Sequence, residues 1–110
     1  MSHSKDRLKA AKTRVGAFSK AAPDVMKAFS GVSKVATKAG EFDAGQRELI
    51  AVALAVATHC DDCIVYHVEA AKKHGASEDA LIEVLEVAVE MGGGPAVMYA
   101  SRAHEAWQNI

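Results

Sequence analysis

The sequence predicts an all-α chain of about six helices. Alanine supplies 22 of the 110 residues and proline only two. Val and Ile occur inside these Ala-rich segments without the sustained alternation of period 2 that a half-buried strand requires. Half of the residues are apolar and a quarter are charged, a globular composition rather than a disordered one. The length suits one domain over residues 1–110. Alanine brings little apolar area per helix and aromatics are scarce. A chain this small buries a limited share of its own surface, so further burial between subunits is expected.

The first helix is expected from about Lys5 to Lys20, a basic segment. Pro23 suits the first turn of a second helix, which should end near Gly40. Asp43 is a good N-cap for a third helix, Ala44 to about Thr58. That helix is apolar nearly all round from Leu49 onward, the pattern of a helix buried on most sides. The fourth should run from around Cys60 to His74, with Gly75 as its stop. Ser77 caps a fifth, with Glu78 and Asp79 in its acidic first turn and Leu81, Val84, Leu85 and Ala88 on one face. The stretch MGGGP, residues 91–95, breaks it, and Pro95 opens a sixth through about Trp107. The triple glycine reads as a tight backbone approach, since it lacks the lysine and the strand–loop–helix setting of a phosphate loop.

Charge is unevenly spread. Residues 1–40 carry nine Lys/Arg against two Asp/Glu, and residues 41–110 carry four against twelve, for a total of −1. With a near-neutral total and no aromatic platforms, the basic segment reads as a helical face lying near an acidic one rather than a nucleic-acid surface. The longest apolar run, Leu49 to Ala57, is nine residues, against the roughly 20 a spanning helix needs. No membrane partner is expected. The opening MSHSKDRLKAAKTR has no apolar central run, so the expected location is cytoplasmic, where thiols stay reduced.

Both cysteines fall in HCDDCIVYH, residues 59–67. If a helix starts at Cys60, then Cys63 lies about 60° from it on the wheel with His67 between them. The three form one stripe, and Cys63 and His67 are i,i+4 neighbours. A helix N-terminus favours thiolate over thiol, and a nearby His can take the thiol proton. Asp61 and Asp62 suit the helix dipole and oppose a neighbouring thiolate, two effects of opposite sign. Haem attachment would need His directly after the second cysteine, where Ile64 stands. A redox dithiol leads. Zinc held by His59, Cys60, Cys63 and His67 and a pair of inert buried cysteines remain alternatives. Glu48 opens the apolar run of the third helix. It gains interest only if the third and fourth helices form a hairpin that returns it toward the cysteines.

Glu48, Cys60, Cys63 and His67 read E-x11-C-x2-C-x3-H. Around them stand FDAGQRELIAVALAVA, HVEAAKKHGASEDALIEV and MGGGPAVMYA. This pattern resembles the alkylhydroperoxidase D-like branch of the carboxymuconolactone decarboxylase family, over roughly residues 23–103. The resemblance implies an all-α fold, a homo-trimer or homo-hexamer, and no cofactor or resident metal. It implies a thiol-dependent reduction of hydroperoxides or of a partner protein's disulfide. By motif position, Cys63 is the nucleophile, Cys60 the resolving thiol, His67 the proton shuttle and Glu48 its acidic partner. Asp62 stands where the best-known peroxidase members carry a histidine, and an added carboxylate there disfavours a thiolate at Cys63. The decarboxylase branch acts on a small acid and usually lacks the cysteine pair, so lactone decarboxylation is the alternative activity. A zinc-stabilised helical assembly without enzymatic activity is another.

Overall fold

The Asp43–Gln46 pair shows how closely the local chemistry fixes the elements. In the computed structural model, which describes residues 3–110, the Asp43 carboxylate accepts from the Gln46 amide at 2.8 Å. The Gln46 side chain accepts in return from the Asp43 amide at 2.9 Å. This reciprocal cap satisfies two of the donors a helix start leaves open. It launches α3, Ala44–Ala57. The other helices are α1 His3–Ala21, α2 Pro23–Ala36, α4 Asp61–Lys73, α5 Glu78–Gly92 and α6 Gly94–Asn109. Among the described residues there are six helices and no strand, as the composition predicts. Met1 and Ser2, part of the polar opening stretch, lie outside the described residues.

α2 ends at Ala36, four residues before the Gly40 expected from sequence. Arg47 supplies the physical reason. Its guanidinium reaches back from α3 and donates to the carbonyls of Val35 and Ala36 at 3.3 and 3.2 Å. Two terminal acceptors of α2 are thereby satisfied from outside the helix, and residues 37–43 turn toward Asp43 instead of continuing the coil.

Two helix ends use the same device with different residues. After α4, Gly75 takes φ 83°, and the amides of Gly75 and Ala76 donate to the carbonyls of Lys72 and Ala71. After α3, His59 takes φ 58°, and the amides of His59 and Cys60 donate to Val56 and Ala55. Both are Schellman closures, whose left-handed position glycine usually fills. The first was legible as a stop. The second is carried by a histidine. It turns the chain so sharply that one residue separates the C-cap of α3, Thr58, from the N-cap of α4, Cys60. Ser77 then caps α5 by accepting from the Ala80 amide. Gly93, at φ 68° and ψ −149°, makes the α5–α6 corner in a conformation open to glycine alone.

The core lies between α3, α4, α5 and α6. Val52, Val56, Ile64, Val68 and Leu81 are its largest fully buried side chains. Leu8 and Ala11 bring α1 onto it. Trp107 closes the α6 side, beneath the Lys72 ammonium. α2 contributes no buried residue. No helix among the described residues is long and apolar enough to cross a membrane.

Candidate functional site

The α3–α4 hairpin decides what the spaced motif can do. Cys60 occupies the N-cap of α4 in extended conformation, and its sulfur accepts from the Cys63 amide at 3.2 Å. Cys63 therefore sits in the first helical turn. The two cysteines are joined as a disulfide, with Cα atoms 5.2 Å apart. His67 lies one turn further along α4. Antiparallel to it, α3 presents Glu48, whose carboxylate meets His67 Nδ1 at 2.6 Å.

Glu48 is only 5% exposed. It is the acid that sequence alone would place in solvent at the start of a helix. A buried carboxylate needs a partner, and His67 is that partner. With Glu48 ionised, the imidazole carries a proton on Nδ1 toward it. In the neutral ring, Nε2 is then the accepting nitrogen. The pairing thus fixes both the tautomer and the ring orientation of a base one turn from Cys63. Tyr66 is half exposed and meets the His67 ring edge-on.

His59 takes no part in this set. Its ring stacks on Tyr99 at 4.6 Å, nearly parallel. Both sulfurs are bonded to each other here, the oxidised form of the pair.

The acidic pair between the cysteines is tied down on two sides. Asp61 accepts from Arg102 of α6 through both carboxylate oxygens, at 2.8 and 2.6 Å. The Asp61 hydrogen bond, and then its charge, hold the Arg102 guanidinium above its ordinary pKa. Arg102 also lies over the Tyr99 ring. Asp62 accepts from Arg14 of α1 at 2.7 Å, and Arg7 stands 3.7 Å from its second oxygen. About two turns on, Glu69 accepts from Lys12 at 2.6 Å. That hydrogen bond is the main reason its carboxyl sits below the ordinary range, against the opposing pull of burial. The basic face of α1 thus lies along the acidic face of α4, the arrangement the charge asymmetry suggests. Sequence reading did not single out Arg7, Arg14, Arg102 or Tyr99. The excess of cations in residues 1–40 was the available signal for the first two.

A model of the carboxymuconolactone decarboxylase family matches residues 23–106. An uncharacterised protein of Cupriavidus necator is 50% identical over 99 residues, covering 90% of this chain and 88% of its own. An uncharacterised protein in the cox locus of Paracoccus denitrificans is 38% identical over 93 residues, 84% of each chain. The apo crystal structure of a carboxymuconolactone decarboxylase family protein from Legionella pneumophila superposes with a TM-score of 0.92 at 42% identity. The match covers 96% of this chain and 95% of that one. A Thermotoga maritima structure, at 24% identity and a TM-score of 0.85 over 96% and 92% of the two chains, shares the fold. Helix order, site geometry and these matches agree: the chain belongs to the carboxymuconolactone decarboxylase family.

Proposed function

We propose that this protein is a thiol-dependent oxidoreductase that cycles Cys60 and Cys63 between dithiol and disulfide while reducing a hydroperoxide or a partner protein's disulfide. The observation that carries this reading is the pairing of the buried Glu48 carboxylate with His67, set one helical turn from a cysteine pair at disulfide distance.

In the peroxide reaction, the Cys63 thiolate attacks the outer peroxide oxygen. The O–O bond breaks, the alcohol leaves with a proton delivered through His67, and Cys63 becomes a sulfenic acid. The Cys60 thiol then attacks that sulfur and expels water, giving the disulfide. An external dithiol returns two electrons and two protons. Its thiolate attacks Cys63, and Cys60 leaves as the thiolate. The N-cap position supports this order, because the Cys63 amide that donates to the Cys60 sulfur would stabilise the departing anion. Glu48 holds the His67 proton and stabilises the imidazolium formed when the ring takes the thiol proton. Such a cycle suits a reducing compartment, the cytoplasm.

Assembly into a homo-trimer or homo-hexamer belongs to the same reading. It is supported by α2, where Val25, Phe29, Val32 and Val35 are 57–71% exposed along one stripe. An exposed apolar stripe along one helix face is the kind of surface on which a protein partner docks.

The test is a thiol titration before and after an organic hydroperoxide, on the wild type and each Cys→Ser variant. The reduced wild type should lose both thiols and form an intramolecular disulfide. Cys63→Ser should abolish turnover, while Cys60→Ser should stop at a trapped sulfenic acid. Full thiol-dependent turnover by Cys63→Ser would overturn the assignment. So would a tightly held zinc that blocks both thiols. Activity on a small lactone acid that survives loss of both cysteines would favour the decarboxylase reading.

A further inference from the structure

The carboxylate next to Cys63 ought to work against the proposed chemistry, yet the structure surrounds it with cations. Asp61 and Asp62 place two negative charges in the first turn of α4. Arg102, Arg14 and Arg7 place three positive charges on them. Two of the three come from α1, His3–Ala21, which lies wholly outside the residues matched by the family model. The second oxygen of Asp62 is sealed from solvent and accepts no hydrogen bond. Arg7, 3.7 Å away, compensates it by charge alone. Removing either arginine would leave a partly buried carboxylate facing the cysteine turn with less to balance it.

We infer that Arg14, assisted by Arg7, is a positioning residue of the redox site. By pairing with Asp62, α1 cancels the charge that would otherwise hold Cys63 in the thiol form. This rests on the reading of Cys60 and Cys63 as a working dithiol. The charged and titratable groups around the reduced Cys63 are then Asp61 and Asp62 of its own turn, His67 one turn on with Glu48 behind it, Arg7 and Arg14 from α1, and Arg102 from α6. Of these, the α1 arginines are the ones paired with Asp62. The basic N-terminal helix therefore has an electrostatic duty as well as a packing one. Sequence reading gives the sign of Asp62 alone. The paired sign depends on a helix some fifty residues upstream.

The test is the pH dependence of alkylation by iodoacetamide, with thiolate absorbance in the ultraviolet as a second readout. Both are measured on reduced protein carrying Cys60→Ser, so that Cys63 is the reporting thiol. Arg14→Gln should raise the apparent pKa of Cys63 and slow alkylation at neutral pH by about three- to tenfold, the thiolate fraction lost over half to one pKa unit. Arg14→Lys should restore most of the rate. In an Asp62→Asn background, Arg14→Gln should shift Cys63 clearly less, because the charge it balanced is gone and only its weaker direct attraction for the thiolate remains. An unchanged profile in Arg14→Gln would overturn the inference. So would an equal shift in the Asp62→Asn background, which would place the effect elsewhere than Asp62. The pair is at the surface, where such bridges contribute little to stability, so the variants should fold. Arg7→Gln gives an independent, smaller shift of the same sign. These readouts need no peroxide. A protein whose thiols ignore hydroperoxide yet show these shifts would sink the peroxidase activity and leave the electrostatic role of α1 standing.

Discussion

α2 and α3 are each fourteen residues long, and the chain treats them in opposite ways. α2 carries a one-sided apolar stripe through Val25, Phe29, Val32 and Val35, yet buries nothing. α3 is apolar on several sides and buries Leu49, Val52, Ala55 and Val56 among α4, α5 and α6, with Glu48 beside them. Amphipathicity states that a helix needs a counterpart, and it does not say that the counterpart lies in the same chain. α3 finds its own within the hairpin, and this is what draws Glu48 onto His67. α2 finds little beyond the end of α1, and its stripe is the surface on which the proposed assembly would form.

The comparison can be broken most directly at Leu49, which is almost wholly buried in α3. Leu49→Ala should cost about 2–5 kcal/mol of stability in urea unfolding. A loss below 1 kcal/mol would mean the α3 core packs less tightly than its burial implies. Next comes the start of the same helix. Asp43→Ala removes the side-chain half of the capping box, the carboxylate that accepts from the Gln46 amide, and should cost about 1 kcal/mol. Asp43→Asn should recover most of it, and equal losses in the two variants would assign the effect to something other than the cap.

A smaller effect concerns α1. The Lys12 hydrogen bond depresses the folded pKa of Glu69 below the unfolded value of 4.5. The pair therefore contributes stability above that value, and the contribution disappears as pH falls through the folded pKa. Both side chains are partly exposed, so the amount is under about 1 kcal/mol. Lys12→Met should flatten this part of the stability profile between neutral and acid pH, and an unchanged acid limb would remove the pair from the account. The smallest effect on the isolated chain belongs to α2. Phe29→Ala should change unfolding of dilute monomer by no more than about 0.5 kcal/mol, while lowering the solution mass at higher concentration. A stability loss comparable to that of Leu49→Ala would show that α2 packs on its own chain after all.

Much of this was legible in the residues. Asp43, Ser77 and Gly75 announce their helix ends because each side chain, or its absence, does its work locally. The disposition of Cys60, Cys63 and His67 follows from helical spacing, although Cys60 proves to be the extended cap rather than the first coil residue. Three things were hidden because they depend on distant partners. Arg47 ends α2 by hydrogen bonding to carbonyls eleven and twelve residues upstream. His59 adopts a glycine's conformation in a Schellman closure, with its ring stacked on Tyr99 forty residues away. Arg7 and Arg14 reverse the local meaning of Asp62 across about fifty residues of sequence. Periodicity reports which face is apolar, and it carries no information about which charge will be brought beside which.

The disulfide closes a ring between residues three apart in sequence. In the chain-entropy picture, a loop of about four residues restrains the unfolded chain by about 2 kcal/mol, against about 4.7 kcal/mol for a hundred-residue loop. Opening this bond releases no long segment, and the α3–α4 turn that frames it is already held by backbone hydrogen bonds from His59 and Cys60. In the proposed cycle, oxidation and reduction would therefore alternate with the tertiary structure left standing. The sulfur pair would serve as a reusable contact, and not as a rivet on which the fold depends.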